Sequence, residues 1–234
     1  MPDHRYQQYC ALARALDVAG DRWTLLIVRE LVPGPRRFTD LLEGLPGVSR
    51  NLLTERLRGL ERDGIVTRKE LPPPAARLVY ELTADGRKLA DAMVPLIRWG
   101  ASRLGDRGSE ESFRARWSAV GMAGLADREA AKGVSETYQY LVGDSAFHFT
   151  VDDGLIEVHD GHAAEPAVVV TTDEKAYADL AAGKITASSV ASAGALTFSG
   201  GAQAVKRLRK IFSRSQMLAH AKATIDGARR EETK

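Results

Sequence analysis

Ser49-Arg50-Asn51-Leu52-Leu53-Thr54-Glu55-Arg56-Leu57-Arg58-Gly59-Leu60-Glu61-Arg62-Asp63-Gly64 is written as a capped amphipathic helix. Ser49 carries the short oxygen-bearing side chain that accepts from the free N–H groups of a first turn, and Asp63-Gly64 ends the segment. At about 100° per residue, Leu53, Leu57 and Leu60 fall on one side, with Arg50, Asn51, Thr54 and Arg58 on the other. A helix that buries leucines and presents guanidinium, amide and hydroxyl groups suits the major groove of DNA, where arginine reads guanine and asparagine reads adenine. Taken alone, the pattern equally describes a surface helix with a charged outer face.

The neighbours separate these readings. Upstream, Thr39 caps a short helix holding Leu41 and Leu42 that stops at Gly44, and Leu45-Pro46-Gly47-Val48 turns the chain into Ser49. Downstream the period changes: Ile65 to Glu70 and Leu78 to Thr83 are short β-prone runs, joined by a segment whose Pro72, Pro73 and Pro74 stiffen it and withhold backbone donors. Helix, turn, helix and hairpin in this order form a DNA-reading arrangement with a wing. Arg68, Lys69 and Arg77 lie in the hairpin, and Arg77 is placed to follow a phosphate strand or enter the minor groove. Flanking this core, one helix runs to about Val18, a second begins after Asp21 with Trp23, Leu26, Ile27 and Leu31 as its buried stripe, and Pro33-Gly34-Pro35 ends it. A long amphipathic helix follows Thr83 or Asp85 through Leu89, Met93, Leu96, Ile97 and Trp99.

Four motifs in order resemble the HxlR-type winged-helix regulators: Cys10 to Leu31 with Gly20 and Trp23, Gly34-Pro35-Arg36-Arg37-Phe38, Leu53 to Gly64, and Tyr80-Glu81-Leu82-Thr83-Ala84-Asp85-Gly86. The resemblance covers residues 10 to 103. It implies a dimeric cytoplasmic transcription factor that binds double-stranded operator DNA. The DNA-binding residues it implies are Ser49, Arg50, Asn51, Thr54 and Arg58 on the recognition helix, Arg77 in the wing, and Arg36 and Arg37 as phosphate contacts. It also implies a homodimer joined through the first and last helices, for which Leu12, Leu16, Met93, Leu96 and Trp99 are the candidates. Two-fold pairing sets two recognition helices ~34 Å apart, one DNA turn. The other reading of these apolar residues is that they close the domain's own core.

Cys10 is the sole cysteine, which excludes an internal disulfide and an all-cysteine zinc site within one chain. In some relatives of the resembled family a cysteine at this position senses oxidants or electrophiles. His4, Arg5 and Arg14 nearby favour a thiolate, with a sulfenic acid, a mixed disulfide or an intersubunit bridge as the products. A small buried residue without chemistry is the preferred reading, since nothing else in the sequence requires a redox sensor.

The polar stretch Gly105-Asp106-Arg107-Gly108-Ser109-Glu110-Glu111-Ser112 is the linker candidate, dividing a DNA-binding and dimerisation domain at 1–104 from a second domain at 113–234. In the second, a helix from Phe113 to about Lys132 precedes a hairpin of Phe147 to Val151 and Leu155 to His159. A buried strand at Ala167 to Thr172, a helix from Asp173 to Gly183, the run Leu196-Thr197-Phe198 and a last helix with Val205, Leu208, Ile211 and Phe212 inward complete it. The stretches Ala167 to Glu174, Leu180 to Ile185 and Leu196 to Gly201 are similar to sterol-carrier-protein domains. The fold class is therefore α+β, a winged helix-turn-helix domain followed by an α/β sterol-carrier-protein-like domain. That similarity implies an apolar tunnel, and Phe147, Phe149, Ile156, Val158, Leu196 and Phe198 are the side chains that line it or fill a dry core.

Other signals dissolve on inspection. Ala182-Gly183-Lys184 has Ala178 where a phosphate-binding loop needs its first glycine, and His159 and His162 lack a third spaced ligand, so neither a nucleotide nor a metal is expected. Lys206-Arg207-Leu208-Arg209-Lys210 reads as a solvated helix face. No nucleophile, base and orienter stand together, so neither an enzyme nor a cofactor is expected. With 44% hydrophobic and 27% charged residues the 234-residue chain has the balance of a core-forming globular protein. Its net charge of +2 leaves any polyanion binding to local clusters. No signal peptide or membrane span is expected. The function expected is sequence-specific DNA binding, modulated by a hydrophobic small molecule in the second domain. The alternative is a lipid carrier that uses its first domain only to dimerise.

Overall fold

The structure, a computed structural model, describes residues 6–72, 77–101, 103–104, 108, 110–182 and 184–213, with Ala182 described by its backbone alone. His4, Arg5, the wing-tip positions 73–76, linker positions 105–107 and 109, and Gly183 lie outside the described residues. The chain divides into two compact units, residues 1–93 and 94–234, and the division falls inside a helix.

The first unit contains α1 (Ala11–Ala19), α2 (Thr24–Leu31), α3 (Phe38–Gly44), α4 (Arg50–Arg62), β1 (Val66–Glu70), β2 (Leu78–Leu82) and the start of α5 (Ala84–Ala101). α2 begins two residues later than a cap at Asp21 implies, because Trp23 takes a left-handed backbone (φ 84°) and occupies the N-cap itself. The buried side of α2 is Thr24, Ile27, Val28, Glu30 and Leu31, while Leu26 is turned outward, 39% exposed. α3 starts one residue ahead of Thr39, with Arg37 at the cap and Asp40 folded back onto its N–H at 3.1 Å. α4 has the expected bounds, and Ser49 Oγ accepts from the Leu52 N–H at 3.3 Å.

β1 and β2 pair antiparallel from Val66 opposite Leu82 to Glu70 opposite Leu78, and the Leu71 N–H continues the ladder to the Arg77 carbonyl at 2.9 Å. Arg36 adds a third rung. Its N–H donates to the Tyr80 carbonyl at 2.9 Å and its carbonyl accepts from the Tyr80 N–H at 2.7 Å. The wing is thus tied to the segment before α3, 44 positions upstream of Tyr80 in sequence (80 − 36). Thr83 closes the base: its hydroxyl donates to the Gly64 carbonyl and accepts from the Gly86 N–H at 3.0 Å, capping α5.

In the second unit, α6 (Ala115–Leu125) packs its Gly121 and Gly124 against Ile97 and Val94 of α5. It is shorter than the expected run to Lys132, since Ala126 turns extended and Asp127 caps the next turn through the Ala130 N–H at 2.9 Å. A five-stranded sheet follows, built from β3 (Ser135–Val142), β4 (Ser145–Asp152), β5 (Leu155–Asp160), β6 (Val168–Thr172) and β7 (Leu196–Gly200) in the order β5-β4-β3-β6-β7. β3 and β6 run parallel and the other neighbours antiparallel. α7 (Glu174–Ala182), α8 (Ala187–Ser192) and α9 (Ala202–Ile211) complete the unit.

β3 and α8 have no counterpart in the sequence reading. β3 is nonetheless the central strand. Its Tyr138, Tyr140 and Val142 face the core, while the intervening Gln139 is also buried, so the simple alternation of a one-sided strand is broken. The Gln139 amide is consumed structurally, donating to the Phe147 carbonyl at 2.8 Å and accepting from the Ala163 N–H at 2.7 Å, which pins the loop after β5. Burying an amide is favourable only when its groups are paired in this way.

Candidate nucleic-acid interface

The three leucines of α4 do what their spacing requires: Leu53, Leu57 and Leu60 are at most 3% exposed. Arg50, Asn51 and Arg58 are exposed on the same helix, and Thr54 is half-buried with its hydroxyl donating to the Arg50 carbonyl at 2.9 Å. Ser49 is exposed but its oxygen is engaged in the helix cap. Arg77 is exposed at the end of the described part of the wing.

Arg36 and Arg37 differ in what remains for a phosphate. Arg36 is half-buried and its main chain belongs to the wing sheet. Arg37 is exposed, yet its guanidinium grips Asp40 through Nε at 3.0 Å and through a second nitrogen at 2.8 Å. Burial by itself raises the Asp40 carboxyl, but the Arg37 hydrogen bonds and the nearby charges of Arg37 and Arg36 outweigh it and hold the group below its ordinary value. A phosphate at Arg37 therefore competes with a carboxylate already in place.

Two further ion pairs brace the reading helix. Arg56 reaches Asp21 in the turn before α2, and Arg68 of β1 binds Glu61 at 2.6 Å, joining wing to helix. Lys69 lies 3.8 Å from Glu81 across the hairpin. The cations of the hairpin that sequence reasoning counted toward DNA are thus partly spent inside the unit. Only spatial proximity reveals these partners, because Asp21 and Arg56 are 35 positions apart.

The dimerisation candidates separate by exposure. Leu12 (66%), Leu16, Leu96 and Trp99 (58%) stand on the surface, whereas Met93 is 6% exposed and belongs to the chain's own core. Met93 departs from the interface expectation because α5 turns that position inward.

Cys10 corrects the sequence reading outright. It is exposed, at the N-cap of α1, and not a small buried residue. The backbone N–H groups of Ala13 and Leu12 at the start of α1 lower its thiol pKa, outweighing a small burial effect. A depressed folded pKa means that this contribution to stability is present above the unfolded-state pKa and is lost as pH falls through the folded value. The expected result is an alkylation rate whose midpoint in pH lies below that of the same cysteine in the urea-unfolded chain. Coincident midpoints would show that the α1 amides do not act on the sulfur.

In the second unit the residues assigned to an apolar tunnel are packed on one another. Phe147, Phe149, Ile156, Val158 and Leu196 are at most 7% exposed. Phe147 stacks on Tyr140 at 5.2 Å, and Phe149 meets Tyr140 at 5.4 Å and Phe212 at 4.7 Å. Phe198 is only half-buried, with Arg209 over its ring at 4.6 Å. Two clefts, of about 370 and 230 Å³, are lined chiefly by polar groups, among them Arg114, Ser145, Asp144 and Glu174. Of the basic run on α9, Arg207 is not simply solvated, since it clamps Glu136 at 3.1 Å. His159 rests on His148, rings 5.1 Å apart, with its Nε2 at 3.0 Å from Thr150. Among the described residues no group of three or more His, Cys, Asp or Glu could hold a metal, and no helix is long and apolar enough to cross a membrane.

A short helix, a turn, a leucine-seated second helix and a strand hairpin bonded to its flank define a winged helix-turn-helix protein, here carrying a second unit built on a five-stranded sheet. The chain belongs to the HxlR-like helix-turn-helix family, whose model matches residues 18–107, and is a transcriptional regulator of that type. Residues 121–213 match the SCP-2 sterol transfer family. Among curated relatives, the uncharacterized HTH-type transcriptional regulator sll1512 of Synechocystis is 37% identical over 44% of this chain and 77% of its own. The HTH-type transcriptional regulator YodB of Bacillus subtilis is 36% identical over 36% of this chain and 76% of its own. A solved structure, the reduced form of YodB from B. subtilis, is 33% identical over 42% of this chain and 100% of its own, with a TM-score of 0.38.

Proposed function

We infer that the chain binds operator DNA sequence-specifically as a homodimer, reading the major groove with α4 and flanking phosphates with the wing. The observation that carries this is α4 itself. Its leucine side is fully sequestered and its N-terminus capped, while Asn51 and Arg58 are held exposed on a helix braced at two points by ion pairs. A rigid support of this kind is what base reading needs. Exposed Leu12 and Leu16 on α1, and Leu96 and Trp99 on α5, support pairing with a second copy, since apolar side chains of this size gain free energy when covered. In this reading Ser49, Arg50 and Thr54 accompany Asn51 and Arg58 on the recognition helix, Arg77 lies in the wing, Arg36 and Arg37 contact phosphates, and the chain acts in the compartment that holds its DNA.

Arg58→Ala is expected to cost about 1–3 kcal/mol of operator affinity per bidentate base contact, with the thermal stability of the protein unchanged. Fluorescence anisotropy on a duplex selected by the wild type checks it. Unaltered affinity in a folded variant removes Arg58 from the reading surface.

Modulation by a hydrophobic molecule is the finer part of the proposal and draws on the match to the sterol transfer family. The packed aromatic interior means that such a ligand must displace Phe147, Phe149 or Tyr140 from their mutual contacts. A ligand alters operator affinity only through unequal affinity for two arrangements of the protein. Native mass spectrometry of the purified chain, followed by operator titration with and without any retained lipid, tests this. No retained apolar molecule leaves the second unit a structural module.

A further inference from the structure

The outermost line of α4 holds a carboxylate. At about 100° per residue, Asn51, Glu55, Arg58 and Arg62 fall within about 60° of one another, opposite the leucine seam, and Arg50 and Thr54 lie on its flank. All four are exposed. Glu55 sits among the cations of this helix, yet among the described residues it makes no hydrogen bond or ion pair, not even with Arg58 one turn on. The other carboxylate of α4 is engaged, Glu61 with Arg68.

An unpaired carboxylate on a surface that approaches phosphates is repelled by them, and the repulsion grows as water is excluded. It becomes favourable only opposite a base edge that offers a donor. In the major groove cytosine presents its N4 amino group as a donor with no acceptor beside it, whereas adenine sets its N6 donor next to the N7 acceptor, guanine presents the N7 and O6 acceptors and thymine the O4 acceptor with its methyl group. The N-terminal residues of a recognition helix are those that meet base edges, and Glu55 lies one turn after Asn51, in the first half of α4.

We propose that Glu55 is a specificity-determining residue, accepting a hydrogen bond from a cytosine N4 in each half-site and rejecting guanine and thymine there. This rests on the DNA-reading function proposed above. Its structural cost is small, because the side chain touches nothing that the fold requires.

The test is selection from a random duplex pool with the full chain, in parallel for wild type, Glu55→Ala and Glu55→Gln, with thermal denaturation confirming equal folding. The wild type is expected to enrich a cytosine at one position of each half-site. Replacing that base by guanine should weaken its binding on the order of 5- to 150-fold. Glu55→Ala should lose the preference at this position alone and bind arbitrary DNA more tightly. Glu55→Gln should move the preference toward adenine, which glutamine pairs in bidentate fashion. If the wild type enriches an operator and both variants keep every base preference, or lose affinity evenly over all positions, the assignment of Glu55 is overturned while DNA reading stands. If the wild type enriches no sequence, the DNA-reading function fails and takes the assignment with it.

Discussion

Phe149→Ala is expected to remove about 3–5 kcal/mol from the unfolding free energy of the unit formed by residues 94–234. The ring is fully buried on β4. It faces Tyr138 on one neighbouring strand and Val158 on the other, and meets Phe147 edge-on at 5.7 Å and Phe212 at 4.7 Å. Those partners are anchored in a sheet, so the truncated site collapses only partly and a cavity adds to the lost transfer energy. Domains of this size are stable by about 5–15 kcal/mol, so the loss is a large share of the whole. Urea denaturation followed by circular dichroism reads it. The same experiment decides between a packed interior and an apolar tunnel, because a side chain bordering an existing void has fewer contacts to lose. A change below about 1 kcal/mol would favour the tunnel.

Gly86→Ala is the second large effect, and its sign is the informative part. In a helix interior this exchange ordinarily stabilises by about 1 kcal/mol through intrinsic propensity. Here a Cβ would be driven into the Ile65 carbonyl oxygen, closer than any real carbon–oxygen contact, and would lie 3.2 Å from Leu82 Cδ2. The obstacle is backbone at the start of the wing, which cannot swing aside as a side chain can. Overpacking of this kind costs about 1–3 kcal/mol, enough to reverse the propensity gain. The first turn of α5 must then lift from β1, loosening the Thr83 bonds that close the wing. The measurable outcome is a lower melting temperature together with weaker operator binding. A melting temperature at or above that of the wild type would show that the approach of α5 to β1 is looser than described.

This close approach also explains a resemblance that sequence alone could only register. The motif Tyr80 to Gly86 is where β2 ends, Thr83 caps α5 and Gly86 lets the helix press on Ile65. Likewise Arg36, read as a phosphate contact, turns out to hold Tyr80 through its main chain.

Local chemistry was enough for α4. A serine cap, leucines at helical spacing and a terminal Asp-Gly are decided within one segment, so its bounds and its buried and exposed sides were legible from residues 49–64 alone. The hairpin around the prolines was legible from two β-prone runs flanking turn residues, and the β4–β5 pair from an alternating run beside a turn. Only the tertiary structure decided the rest. Gln139 hid the central strand because its burial depends on a loop 24 positions away. Cys10 left its expected buried environment, and Met93 took the core reading of the two open to it, because exposure is set by what packs over a residue and not by its own apolarity. Which cations of the winged unit are held in ion pairs was decided by Asp21, Asp40, Glu61 and Glu81, since an ion pair forms wherever the fold brings opposite charges together, and sequence distance does not report that.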